Sequence, residues 1–349
     1  MNDQNSIEEI KKIPIIFIVG CGRSGTTLLR SLINSHPNII AAFECRFILF
    51  MYPRFGKIKN WTKENIVQFV DALYSIRKFS RWLIDRDQLT KELLAVTEFA
   101  EYPLLCKIVY YQMRKNKEKT MLMVDKNPIY SLFIKRLIRI YPESKFIHIV
   151  REPKDCINGH LKKFQYKNTF FLAWYWRRFN TSIESEKRKS PGKFFTIQYE
   201  VLVRDTEQTM RNLCDFFHLP FDDRILQNSF PETIHLYKDS EFKKFRANHE
   251  GLLFQVNDSN IGKWKKEMLP RDIAITEIIT GKFAEAKYGY QMEKNNQVRV
   301  SKFQLLNNRI IYYSWEIITR IRFRSYKLNT YYKGRIMRTI INRQNKSSS

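Results

Sequence analysis

Apolar positions in this chain fall into short unbroken runs separated by stretches with helical spacing. Ile13 to Gly20 (IPIIFIVG) is continuous and bounded by turn residues, the pattern of a strand buried on both faces. CGRSGTT follows, then LLRSLINSH with helical spacing and Pro37 beyond it, giving a strand–loop–helix unit. A second unit starts at Met121 to Val124, strand-like, and continues into Ile129 to Tyr141, whose apolar residues repeat at helical spacing until Pro142. Lys145 to Val150 (KFIHIV) is another buried strand, and strand–helix–strand favours a parallel sheet with right-handed crossovers. Phe194 to Tyr199 adds a further strand, and TEQTMRNLCDFF reads as helix. The alternation predicts an α/β fold, a P-loop-like parallel sheet flanked by helices.

Two stretches break that alternation. Residues 55–120 are helical in pattern and rich in Trp, Phe and Lys, which predicts a helical insertion shaping an acceptor cleft. After residue 293 the composition shifts: residues 296–349 hold 12 Lys and Arg against one acid, Glu316, or +11 in 54 residues. The expected organisation is a polar N-terminal segment (1–12), a main domain (13–295) and a basic, aromatic-rich, helical C-terminal extension (296–349).

The whole chain of 349 residues carries a net charge of +26, so a polyanionic partner is expected: phosphorylated cofactor, anionic lipid, acidic glycan or nucleic acid. The last is disfavoured because no helix-turn-helix, zinc-finger or RNA-binding signature is present. Five scattered cysteines form no C-x-x-C pair and no zinc spacing, so neither a disulfide scaffold nor a metal is expected. The N-terminus (MNDQNSIEEIKK) lacks an apolar signal core, which predicts a cytoplasmic protein, peripheral at the inner face of the membrane if the basic extension engages lipid.

The chemistry concentrates at Gly20 to Thr27, GCGRSGTT. At a strand-to-helix junction unpaired N–H groups and the helix dipole favour an anion. Gly22 and Gly25 let the backbone approach it, Arg23 adds charge, and Ser24, Thr26 and Thr27 add hydroxyls. A kinase-type loop, G-x-x-x-x-G-K-[ST], would carry lysine where Thr26 stands, and that lysine neutralises the β- and γ-phosphates. The loop therefore suits a 5′-phosphate better than a triphosphate. Arg151 ends the strand KFIHIV, where α/β sheets place ligands, and an arginine there can grip a second phosphate; Lys163 lies farther along.

Together, GRSGTT and VREPKD resemble the two nucleotide signatures of sulfotransferases that use 3′-phosphoadenosine 5′-phosphosulfate (PAPS) and release adenosine 3′,5′-bisphosphate (PAP). Gly262 to Trp264 (GKW) resembles the late nucleotide-loop motif of that family, which implies nucleotide roles for Lys263 and Trp264. Within the superfamily the register is most similar to the tyrosylprotein sulfotransferases and bacterial sulfotransferase-domain proteins. RSGTTLLRSLINSHPNI continues without a gap into Glu44-Cys45-Arg46, the spacing of that group's catalytic Glu and following Arg. Asp125-Lys126-Asn127-Pro128 resembles its Asn-Lys-Asp-Pro segment, and Tyr199-Glu200 its Tyr-Glu near the nucleotide. Gly159 stands where the family usually carries a Ser that contacts the 3′-phosphate, and the flanking cysteines of the lumenal enzymes are absent.

The resemblance implies Glu44 as general base, with Lys126 and Arg23 stabilising the sulfuryl and leaving-group oxygens, and no metal. Arg46 would orient Glu44, bind an acidic acceptor or form a plain salt bridge. His148, in an apolar strand, reads as a core histidine, and His36 and His160 are weaker bases than Glu44. The acceptor is expected to be a hydroxyl on a glycan, glycolipid or cell-surface precursor, with a protein tyrosine as the alternative and P-loop kinase or non-catalytic polyanion binding as remoter ones. The extension has three readings: a membrane-interface helix, a polysaccharide-binding segment, or a helix docked on the domain with a solvated basic face.

Overall fold

A computed structural model describes residues 4–114, 119–163, 168–227, 256–293 and 299–325. Five strands form one wholly parallel sheet: β1 (Ile15–Val19), β2 (Ile39–Ala41), β3 (Leu122–Lys126), β4 (Phe146–Val150) and β5 (Phe194–Gln198), in the order β2-β3-β1-β4-β5. Before β2 come α1 (Gln4–Lys12) and α2 (Thr26–Ser35). α3 (Phe47–Phe55) precedes the predicted insertion, which holds α4 (Lys63–Tyr74), α5 (Arg86–Leu94) and α6 (Tyr102–Tyr111). Then follow α7 (Ile134–Ile140), α8 (Pro153–Lys163), α9 (Thr169–Lys187), α10 (Tyr199–Arg204) and α11 (Thr206–Phe217). The short α12 (Trp264–Glu267), α13 (Pro270–Tyr288) and α14 (Lys302–Arg322) complete the described helices.

The unbroken apolar runs are strands because both of their faces are covered. Ile15, Phe17 and Val19 of β1 join the core built by α1, α3–α6 and α7; Ile16 and Ile18 join the core under α2, α10 and α11. Phe17 and Phe146 stack across β1 and β4 at 5.7 Å between ring centres. Helix ends carry local signals: Thr62 and Asn65 form a reciprocal capping box before α4, and Asn168 accepts from Phe171 N to start α9.

The structure departs from the sequence reading in four places. The N-terminal segment is more than a polar leader: α1 is amphipathic, and its Ile7 and Ile10 are buried in the core against α6. Three-residue β2 lies just beyond Pro37, where the sequence pattern predicts no element, and is too short to show a period. The helix expected over Ile129 to Tyr141 divides into a 3₁₀ turn, Pro128–Leu132, and α7, and the tight turn lets Ser131 Oγ bond the main chain at Gly20.

The fourth departure is the extension, whose described part is not separate from the domain. α14 docks along α9: Tyr312 and Glu316 are buried, Arg178 donates to both Glu316 carboxylate oxygens at 2.9 and 3.2 Å, and Tyr312 and Trp315 pack on Phe171. For residues 302–322 this is the docked-helix reading; residues 326–349 of the extension lie outside the described residues. Tyr312→Ala should therefore lower unfolding free energy by about 3 kcal/mol, the cost of emptying a packed aromatic site. Ile310→Ala, on the exposed side of the same helix, should stay within about 0.5 kcal/mol. Urea denaturation of the full chain measures both.

Candidate active site

Because every strand runs the same way, five carboxyl ends share one edge of the sheet, the place where such folds bind ligands. Each strand delivers a sequence-predicted residue there: β1 the Gly20–Thr27 loop, β2 Glu44, β3 Lys126, β4 Arg151 and β5 Tyr199.

The loop is pinned from outside by its carbonyls. Ser131 Oγ donates to Gly20 O at 3.2 Å, His160 Nε2 and Cys156 Sγ donate to Gly22 O at 2.8 and 3.0 Å, and Arg151 Nη1 donates to Arg23 O at 3.2 Å. Arg23 is held in the left-handed region at φ 68°, a conformation that costs free energy in a non-glycine residue. Gly25, at φ 89°, is the N-cap of α2 and gives it no side-chain cap, and the first turn has no acid. The helix end is thereby left for an anion. Thr27 is half-buried and Thr26 is buried. Ser24 differs from expectation: its N–H donates to Cys21 O and its buried Oγ faces Cys156 Sγ at 3.7 Å, so it shapes the loop.

Arg151 adjoins this loop, as the two-signature reading requires. Its guanidinium lies 4.4 Å from the centre of the Tyr199 ring, donates to Asn260 O, and its Nε is buried with no hydrogen-bond partner among the described residues. Burial, and next the charge of Arg151, hold Arg23 below its usual pKa. Gly159 faces the Arg23 side chain, and a Cβ added there would meet Arg23 atoms at 3.5 Å or more, an ordinary contact. Lys163 is half-buried; burial and the nearby Arg23 lower it to about 8.

Asp155 fastens the GKW segment to the start of α8 through Gly262 N at 2.7 Å and Trp264 N at 3.1 Å. Lys263 is exposed and donates to Asn260 Oδ1. Trp264 corrects the expectation of a nucleotide contact: it is buried in an apolar cluster with Ile157, Phe170 and Met268, under Lys154 Nζ at 4.1 Å, so it anchors the segment.

At the β2–β3 end, Glu44 meets three cations: Lys78 Nζ at 2.5 Å, Lys126 Nζ at 3.3 Å and Arg46 at 3.7 Å. Burial pushes the Glu44 pKa up, but Lys78, Lys126 and Arg46 outweigh it and hold the carboxyl well below the usual range. Burial lowers the pKa of both lysines, and Glu44 partly restores it. The main chain around Glu44 is fixed on both sides: Trp82 Nε1 donates to Phe43 O at 3.0 Å, and Asn127 Nδ2 to Cys45 O at 3.1 Å. Arg46 pairs with Glu44 and stays exposed enough to meet a second molecule.

Lys78 and Trp82 were not legible beforehand; both come from the insertion, where nothing in local spacing marks them. Nor was the group formed by Cys21, Cys156 and His160, whose ligating atoms lie within 4.8 Å of one another behind the loop. Two histidines are held within the fold: His148 Nε2 meets Asn180 Oδ1 at 2.9 Å and is lowered to about 4 by burial, while His36 bridges Pro220 O and Asn38 N.

Comparison with known proteins bears on the family and the fold. A family model described as "Sulfotransferase family" matches residues 14–223. Protein-tyrosine sulfotransferase 1 of Danio rerio is 25% identical over 274 residues, 76% of this chain and 70% of that protein. The Drosophila melanogaster protein-tyrosine sulfotransferase is 23% identical over 271 residues, 75% of this chain but only 49% of its own length. Among solved structures, the sulfotransferase domain of the Synechococcus PCC 7002 olefin synthase superposes with a TM-score of 0.52 at 22% identity, covering 78% of this chain and 96% of that one.

A methyl at position 25 would lie 2.5 Å from the Tyr199 ring, at a φ that side chains rarely adopt. Gly25→Ala should therefore weaken PAP binding by at least about tenfold, since the ring, the loop or both must shift. Isothermal titration calorimetry gives the comparison.

Proposed function

The chain belongs to the sulfotransferase family, and from that premise we propose that it transfers a sulfuryl group from PAPS to a hydroxyl of a glycan, glycolipid or other cell-surface precursor. The observation that carries the reading is Glu44 beside Lys126, 3.3 Å apart, on the sheet edge that also presents the uncapped anion loop. The residues present suit a nucleotide charged at both ends: a bare helix N-terminus and Arg23 on one side, and on the other Arg151 with a buried Nε that no described residue satisfies. Bound there, PAPS supplies the activated sulfuryl group.

The chain's own groups divide the remaining work. Main-chain N–H groups at the start of α2, with Thr26 and Thr27, hold the 5′ end. Arg151 holds the 3′-phosphate, and Tyr199 keeps the Arg151 plane in place by stacking; Lys163, which feels the charges of Arg23, Lys126 and Glu44, serves the sulfuryl side of the nucleotide. Glu44 is a carboxylate throughout the neutral range, so it accepts the acceptor hydroxyl's proton without first losing its own. Lys126, nearly closed to water, offers its ammonium to the developing negative charge where low polarity strengthens it. Trp82 and Asn127 are positioning residues, since each donates to the main chain flanking Glu44.

A second acceptor, a protein tyrosine, is favoured by the Glu44–Arg46 pairing and by the names of the relatives. Arg46 and Lys78 would suit acidic residues beside such a tyrosine as well as acid groups of a glycan. Incubation with radiolabelled PAPS and a panel of acidic oligosaccharides, glycolipids and tyrosine peptides separates the two. Label on tyrosine peptides alone would replace the carbohydrate reading. Glu44→Gln should abolish transfer to every acceptor while calorimetric PAP binding persists; near-normal turnover would remove Glu44 as the base.

The pH profile supplies an independent check. Glu44 is the depressed-pKa case, so activity is lost only as pH falls through that low value. Lys78→Met removes the largest of the influences lowering it, so the acid limb of kcat/KM should move to higher pH. An unmoved limb would mean that another group sets it.

A further inference from the structure

The docked helix α14 has two faces. Tyr312, Glu316 and Thr319 are buried against the domain, whereas Phe303, Leu306, Ile310, Ile317 and Ile321 are between 46% and 76% exposed. Those five recur at steps of three, four, seven and four residues, so they form one stripe along the outer side of the helix. At 21 residues the helix is roughly 30 Å long, and the stripe runs nearly its full length.

Basic residues edge this stripe. Lys302, Arg309 and Arg320 fall on one flank by helical spacing, Arg324 stands exposed two residues past the helix end, and Arg309 is steadied against Trp174 and Tyr313. The helix's single acid, Glu316, faces inward and is taken by Arg178 and Arg320. Whatever covers the stripe must therefore bring both apolar surface and negative charge. A second copy of the chain would set like charges against each other. A polysaccharide or nucleic acid would answer the charge and leave five large apolar side chains uncovered. Among the described residues no helix is long and apolar enough to cross a membrane.

We infer that α14 lies in the plane of an anionic lipid surface, with Phe303, Leu306, Ile310, Ile317 and Ile321 in the headgroup–acyl boundary and the basic flank on lipid phosphates. The far end of the helix is also fixed to the domain: Phe323 packs on Phe133 at 4.7 Å between ring centres, and its carbonyl accepts from Arg136 Nη1.

The test uses the full chain and sedimentation with vesicles of phosphatidylcholine alone or mixed with phosphatidylglycerol. Binding is expected on the mixed vesicles and to be at least about tenfold weaker on the neutral ones. The double substitution Ile310→Ser/Ile317→Ser keeps every charge and should cut binding to mixed vesicles by at least about tenfold. Lys302→Gln/Arg324→Gln keeps every apolar residue and should also weaken it, by about tenfold. All four positions are exposed, so thermal unfolding and PAP affinity should match the parent; this separates failure of lipid docking from failure of the nucleotide site. Undiminished binding by Ile310→Ser/Ile317→Ser, or equal binding to both vesicle types, overturns the inference. So does a dimer in sedimentation equilibrium that this same double substitution dissolves, since the stripe would then be covered by a second copy.

Discussion

Everything in this site depends on the parallel pairing of five strands. An antiparallel neighbour would send one strand's carboxyl end to the opposite edge and take its residue with it. Here Gly20 follows β1, Lys126 ends β3, Arg151 follows β4 and Tyr199 follows β5, while Glu44 stands three residues beyond β2. Registers such as Ile18↔Lys126 and Phe17↔Phe146 fix how far each end projects. Parallel strands need crossover helices, and those helices bury both faces of the sheet. The same requirement that makes β1 a continuous apolar run therefore also gathers the polar residues at its rim.

The rim concentrates cations that repel one another. Arg23 and Arg151 adjoin each other, and Lys78, Lys126 and Arg46 share one carboxylate. Protein dipoles hold part of this charge in place: the carbonyls of Arg23 and Asn260 accept from Arg151. Asp155 Oδ2, 3.8 Å from Arg151 Nη2, answers part of what these carbonyls leave uncompensated. Placing Glu44 among three cations also weakens it as a base. That is the electrostatic consequence of holding it ionised in a buried position, where isolation would have protonated it.

The sheet strands and the anion loop were legible because each rests on a local signal: an unbroken apolar run, or glycines at a strand-to-helix junction. Glu44 and Lys126 emerged from the register of whole motifs, since neither residue announces itself alone. Trp82 and Lys78 could not be read, because their roles exist only once the insertion folds over β2 and brings Trp82 Nε1 to Phe43 O. Trp264 misled for a related reason. Its place in a nucleotide-loop motif said nothing about which way the ring turns, and the apolar surface offered by Ile157 and Phe170 decided it. β2, with three residues, is below the length at which a period can show.

The basic C-terminal helix looked like an addition because composition changes at its start, yet packing ties it to the loop. Trp315 of α14 meets Tyr175 at 5.8 Å between ring centres, Tyr175 meets His160 at 5.7 Å, and His160 Nε2 donates to Gly22 O at 2.8 Å. Three contacts thus connect a helix outside the family-matched region to the carbonyl that turns the anion loop. Charge composition separates segments that differ in what they face, whereas a domain is defined by shared buried surface. On that criterion α14 belongs to the catalytic domain, and its basic outer side is the domain's own surface.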